Sequence, residues 1–141
     1  MVCRETDIDK INRIANSDAV RPFIDYRGVS EPMDFTPAVD RLGLTGILWL
    51  SDGDALACFA QTGERTWQAH LLFGAAVRGR AALEAAKGML AYLKPWADTV
   101  WGAIPLRNKR VLWFARMLGF VETGRDVWAA EGDVALVELA L

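Results

Sequence analysis

Ile8, Ile11, Ile14 and Ala15 recur at helical spacing, and Thr6, Asp7 and Asp9 precede or open that run, where a capping oxygen and negative charge suit a helix start. The pattern predicts an amphipathic helix over 6–16. From Ser17 to Thr45 no period holds: Pro22, Pro32, Pro37, Gly28 and Gly43 interrupt the chain, and only Thr36-Pro37 reads as a cap and first position of a short helix through Leu42. Three extended runs follow, Gly46 to Leu50, Ala55 to Gln61 and Thr66 to Phe73, with tight-turn signals at Asp52-Gly53 and Thr62-Gly63. They predict an antiparallel meander. From Ala81 the period becomes helical, with Ala82, Ala86, Met89, Leu90 and Leu93 on one face and Lys94-Pro95 as the stop. Asp98 to Ile104 then reads as a strand, Asn108 caps a helix through Leu118, and Gly119 supplies its left-handed exit. A final hairpin runs from Phe120, turns at Glu131-Gly132-Asp133, and returns over Val134–Leu139.

Antiparallel strands first and strand-helix alternation afterwards predict an α+β fold with a mixed sheet. Its parts are an N-terminal antiparallel meander, a central helix and a C-terminal hairpin. The 141 residues fit one domain over 1–141, since domains commonly run to about 100–150 residues. Of the chain, 52% is apolar, enough for a core without disulfide or metal staples. A net charge of -2 gives no overall positive field toward nucleic acid or anionic lipid, so neither is an expected partner and any anion site must be local. Cys3 and Cys58 lack zinc-type spacing and read as reduced thiols, and no metal site is expected. Glu5, Asp7 and Asp9 stand where a signal peptide would be apolar, and the apolar runs Leu42–Leu50 and Leu71–Val77 fall short of the ~18 residues of a membrane span. A cytoplasmic chain starting near Met1 is the expectation.

Two stretches carry candidate chemistry. In Val77-Arg78-Gly79-Arg80-Ala81-Ala82-Leu83 a strand gives way through glycine to a helix whose first N–H groups and partial positive charge can receive a phosphate, with two arginines beside them. The same residues also read as a plain turn with solvated arginines. In Ile104-Pro105-Leu106-Arg107-Asn108-Lys109-Arg110-Val111-Leu112-Trp113-Phe114-Ala115-Arg116-Met117-Leu118-Gly119-Phe120, Asn108, Val111 and Ala115 share a helical face. Asn108 is either a cap alone or a cap that also meets a ligand.

With the order of elements, these stretches resemble the GCN5-related N-acetyltransferase (GNAT) family over about residues 46–139, with 6–16 as its first helix. The resemblance implies that Arg78, Gly79, Arg80, Ala81, Ala82 and Leu83 form the loop that holds the diphosphate of acetyl-CoA. Ala81 stands where the family has its first key glycine, and Leu83 where it has Gly or Ala. It implies that Leu72 and Phe73, at the end of the strand before the loop, meet the acyl arm, and that Asn108, Val111 and Ala115 border pantetheine and sulfur. Ala115 occupies the place of the family's acid tyrosine; Tyr26 and Tyr92 lie elsewhere in the pattern.

His70 shares a strand face with Gln68 and Leu72, opposite Trp67, Ala69, Leu71 and Phe73. Its ordinary pKa suits a base, although a strand histidine can equally be a hydrogen-bonded structural residue. Glu64, in the preceding turn, is another base or a solvated turn residue. Trp49, Trp67, Trp101 and Trp113 read as packing within core elements. The implied activity is acetyl transfer from acetyl-CoA, as co-substrate, to the amine of a small molecule or protein, with His70 and Asn108 as catalytic candidates. The alternative is a non-catalytic binding or assembly protein on the same fold, akin to acetyltransferase-like proteins of bacteriophages.

Overall fold

The computed structural model describes residues 1–24, 31–39 and 45–141. Its elements are β1 (Cys3–Arg4), α1 (Ile8–Ala15), α2 (Arg21–Ile24), β2 (Ile47–Asp52), β3 (Ala55–Gly63), β4 (Thr66–Phe73), α3 (Gly79–Leu93), β5 (Thr99–Pro105), α4 (Lys109–Met117), β6 (Val121–Trp128) and β7 (Gly132–Ala140). This is the α+β mixed sheet that the sequence predicts. The strands form one seven-stranded sheet in the order β1-β2-β3-β4-β5-β7-β6. β4 and β5 run parallel, whereas the other neighbours run antiparallel.

Alternation along the strands sends side chains to two cores. On one face Leu50, Ala57, Phe59 and Val100 pack with Ala85, Met89 and Leu93 of α3. On the other, Trp49, Leu56 and Leu72 pack with Ile11, Ile14 and Ala15 of α1. A third, smaller cluster seats α4 through Ala115 on Ile104 and Val137, the α3 face of β5 and β7.

The ends of the elements follow from single residues. Asp7 caps α1, its Oδ1 accepting from the N–H groups of Asp9 and Lys10. Asn108 caps α4, and Gly119 leaves it at φ 98°, a conformation open to glycine. The second meander turn falls at Glu64-Arg65, two residues beyond the expected Thr62-Gly63, because β3 extends through Gly63 and Arg65 adopts φ 57°. At Thr36–Ala38 a single 3₁₀ turn forms with Thr36 inside it, since Asp34 Oδ1 accepts from both the N–H (3.0 Å) and the hydroxyl (2.6 Å) of Thr36. The expected continuation to Leu42 falls outside the described residues.

The N-terminus is fastened by a small polar network. Ser51, 1% exposed, donates to Glu5 Oε2 at 2.8 Å, and Lys10 Nζ lies 3.0 Å from the same oxygen. Burial alone would raise the Glu5 pKa, but hydrogen bonds from the Asp7 N–H, Lys10 and Ser51 outweigh it and hold the carboxyl below its ordinary value. Among the described residues no helix is long and apolar enough to cross a membrane, and no group of three His, Cys, Asp or Glu could hold a metal ion.

Candidate active site

β4 and β5 pair only at their first residues: Thr66 pairs with Thr99, Trp67 with Val100 and Gln68 with Trp101. Beyond Gln68 they no longer pair, although each keeps a partner on its outer edge. β4 stays registered with β3 to Phe73, and β5 with β7 to Pro105. The opening is a cleft of about 770 Å³.

Backbone direction along β4 decides what faces this opening. Arg65 O accepts from the N–H groups of Asp98 and Thr99 on the β5 side, whereas the Gly74 N–H donates to Asp54 O beside β3. Since alternate strand residues direct their N–H and C=O to the same edge, Leu71 and Phe73 present theirs to the gap, where no ladder partner stands. Such groups are strong hydrogen-bonding sites that call for a partner.

At the C-terminal end of β4 the chain turns into α3 through Gly79, whose φ of 57° is open to glycine and strained for other residues. The first helical bond runs from the Ala82 N–H to Arg78 O at 3.4 Å, and no side chain caps the helix. The N–H groups of Gly79, Arg80 and Ala81 therefore precede the ladder. Arg78 shapes this turn itself, donating from Nη1 to Val77 O (2.9 Å) and Gly74 O (3.2 Å).

The start of α4 forms another wall. Asn108 Oδ1 accepts from the Val111 N–H at 3.4 Å, so the cap is present, while the side-chain amide nitrogen has no hydrogen-bond partner among the described residues. Lys109 and Arg110 follow on the exposed first turn, and both line the cleft.

The fold brings most of the sequence candidates together. His70, Leu72, Phe73, Arg78, Gly79 and Ala82 line the cleft from β4 and α3. Asn108, Val111 and Ala115 line it from α4. Arg80, Ala81 and Leu83 do not: Arg80 and Ala81 are exposed on the first turn of α3, and Leu83 is half-buried. Glu64 is exposed in the turn at the opposite end of β4 and is not near the opening. Trp49 and Trp67 are buried and Trp101 half-buried, but Trp113 is 56% exposed and lines the cleft, which corrects its reading as a packing residue. Lys109 and Arg110 were identifiable as cations directly behind a helix cap. Ala19, Val20 and Ile24, also in the lining, come from the unpatterned segment and gave no signal.

His70 faces the solvent of the cleft and makes no hydrogen bond with a described residue. The protein crowding a concave site disfavours the imidazolium and lowers the His70 pKa, so the ring is neutral near pH 7. Cys58 stands directly opposite it on β3, where burial pushes the thiol up to about 12 and keeps it protonated.

No family model and no curated protein matches the chain. Solved structures do. The chain is similar to spermidine N-acetyltransferase from Vibrio cholerae in complex with CoA and spermine, with TM-score 0.72, 14% identity, and 99% of this chain and 95% of that one covered. It is similar to a Salmonella typhimurium protein assigned as an acetyltransferase and bound to acetyl-CoA, with TM-score 0.68, 12% identity, and coverage of 100% and 93%. A Desulfovibrio desulfuricans protein assigned to the GNAT family has TM-score 0.73, 12% identity, and coverage of 99% and 98%. At these identities the likeness is one of fold: the chain has the GNAT acetyltransferase fold.

Proposed function

We propose that the protein is an N-acetyltransferase that uses acetyl-CoA as co-substrate and acetylates an amine by direct transfer. The observation that carries this reading is the opening between β4 and β5, flanked by the uncapped start of α3 and the cationic start of α4. A diphosphate suits the N–H groups of Gly79, Arg80 and Ala81, with Arg78, Arg80, Lys109 and Arg110 supplying charge. An extended amide-bearing arm suits the open backbone groups of Leu71 and Phe73, and the Asn108 side-chain amide can donate to it. Acetyl-CoA brings an acetyl thioester to the gap.

The amine nitrogen forms a bond to the acetyl carbonyl carbon, and the carbon–sulfur bond breaks with its electron pair leaving on sulfur. Neutral His70 accepts the proton that the amine loses. The thiolate is a tolerable leaving group and takes its proton from water, because Ala115 offers none. The protein's contribution is chiefly to hold both reactants in attack geometry, worth roughly 7–11 kcal/mol.

A second reading, a non-catalytic binding or assembly protein on this fold, is favoured by one observation: Ala115 is 7% exposed among Ile104 and Val137, so core packing occupies the position of the acid. The experiment that separates the two is release of free CoA from acetyl-CoA over a panel of amines. Amine-dependent release supports the enzyme; binding without release supports the second reading.

A further inference from the structure

The cleft passes through the sheet rather than into one side of it. Ala69, Leu71, Phe73 and Ile104 project to the face covered by α3 and α4, while His70, Leu72, Ala103 and Pro105 project to the face covered by α1 and α2. The two halves differ in chemistry. Arg78, Lys109 and Arg110 belong to the starts of α3 and α4. The half beneath α2 is built from Ala19, Val20, Ile24, Leu72 and Pro105 around His70. Val20 and Leu72 are buried in the same cluster, with Ile24 packed against it, so this wall is part of the core.

Resting on the transferase reading above, we infer that the acceptor is a primary amine carried on an apolar alkyl or aryl body. It enters beneath α2, lays its body on the half-buried Ala19 and Ile24, and presents its nitrogen to His70. Contact between apolar surfaces favours such a molecule. A polyamine would bring further ammonium groups onto the apolar wall, where none of its described residues compensates their lost hydration. The acceptor class therefore differs from that of the spermidine enzyme with which the chain shares its fold.

The test measures kcat/KM for hexylamine, 2-phenylethylamine and spermidine at saturating acetyl-CoA, after calorimetry has measured acetyl-CoA binding. Hexylamine and 2-phenylethylamine should exceed spermidine by at least about tenfold, the scale on which an apolar pocket discriminates. Ile24→Asp should narrow that ratio through KM rather than kcat, with acetyl-CoA binding unchanged. Equal or better use of spermidine by the unaltered protein, or a folded Ile24→Asp variant with the same ratio, overturns the acceptor class and leaves the transferase reading standing. Absence of acetyl-CoA binding overturns the transferase reading and this inference with it. Because the wild-type comparison decides on its own, a variant that fails to fold does not remove the test.

Discussion

Gln68 and Trp101 are the last residues at which β4 and β5 pair with each other, and the cleft opens immediately beyond them. The pair works as the apex of a wedge. Trp101 is held by its indole N–H, which donates to Thr62 Oγ1 at 3.0 Å on β3, so the apex is tied across β4 to the meander. Past this point Leu71 and Phe73 turn toward the gap backbone groups with no ladder partner among the described residues, and His70, just before Leu71, turns its ring to the α2 side. The arrangement places open backbone groups and a neutral imidazole on consecutive residues of one strand.

His70→Gln is expected to lower kcat by about 10²–10⁴, the usual worth of a positioned base, while leaving acetyl-CoA affinity unchanged. The crowded site lowers the imidazole pKa, so activity is retained at neutral pH and falls once pH drops through that lowered value and the ring takes up a proton. A kcat/KM profile against pH checks both points. The acid limb should shift in or vanish from the variant, and a variant with wild-type rate and profile would remove His70 from the chemistry.

Arg78 and Arg80 are expected to separate. Arg80 is exposed with no hydrogen-bond partner among the described residues, so Arg80→Ala should leave stability within about 0.5 kcal/mol. Loss of a charged hydrogen bond of roughly 1.5–3 kcal/mol should still weaken acetyl-CoA about tenfold or more, with no effect on pantetheine, which lacks the diphosphate. Arg78→Ala should also lower Tm, because its guanidinium ties the carbonyls of Gly74 and Val77. Thermal melts and calorimetry on both variants check this.

Ala115→Tyr tests whether the position of the acid is room or packing. The residue is buried against Ile104 and Val137, so the added ring should cost about 1–3 kcal/mol and lower Tm. A variant that melts with the wild type and turns over faster would show that the cleft admits the hydroxyl and that only the acid was lacking.

Much of the fold was legible because one-residue signals bounded it. Thr66–Phe73 stands out by alternation between a turn and a glycine, Asn108 by its capping side chain, and Gly119 by its place after a helical run. β1 and α2 were not legible, since two and four residues are too short to show a period. Trp113 misled because Leu112 and Phe114 flank it with further apolar side chains, which leaves the buried face undetermined. Of the site, His70, Asn108 and the Arg78-Gly79 turn were visible as residue types in context. The opening itself was not, because it depends on where β4 and β5 stop pairing with each other, a property of two strands that neither strand's pattern contains. Ala19, Val20 and Ile24 reach the cleft through that tertiary geometry alone.

The N-terminal fastening predicts a pH effect on stability. Glu5 has a depressed pKa, so its contribution is present above the ordinary glutamate value and is lost as pH falls through the lowered folded value. Glu5→Gln should destabilise the protein at pH 7 and flatten the fall of stability as pH drops below the ordinary glutamate range, measured by urea denaturation. An unchanged acid limb would show that the Glu5–Ser51–Lys10 network contributes nothing.

Calorimetric titration with acetyl-CoA, read beside a thermal melt, tests the central claim most directly. The expected result is saturable binding at one site and stabilisation of about 2.7 kcal/mol when the ligand stands at one hundred times its Kd. No heat of binding and no rise in Tm at millimolar acetyl-CoA would contradict the reading of the β4–β5 cleft as an acyl-CoA site.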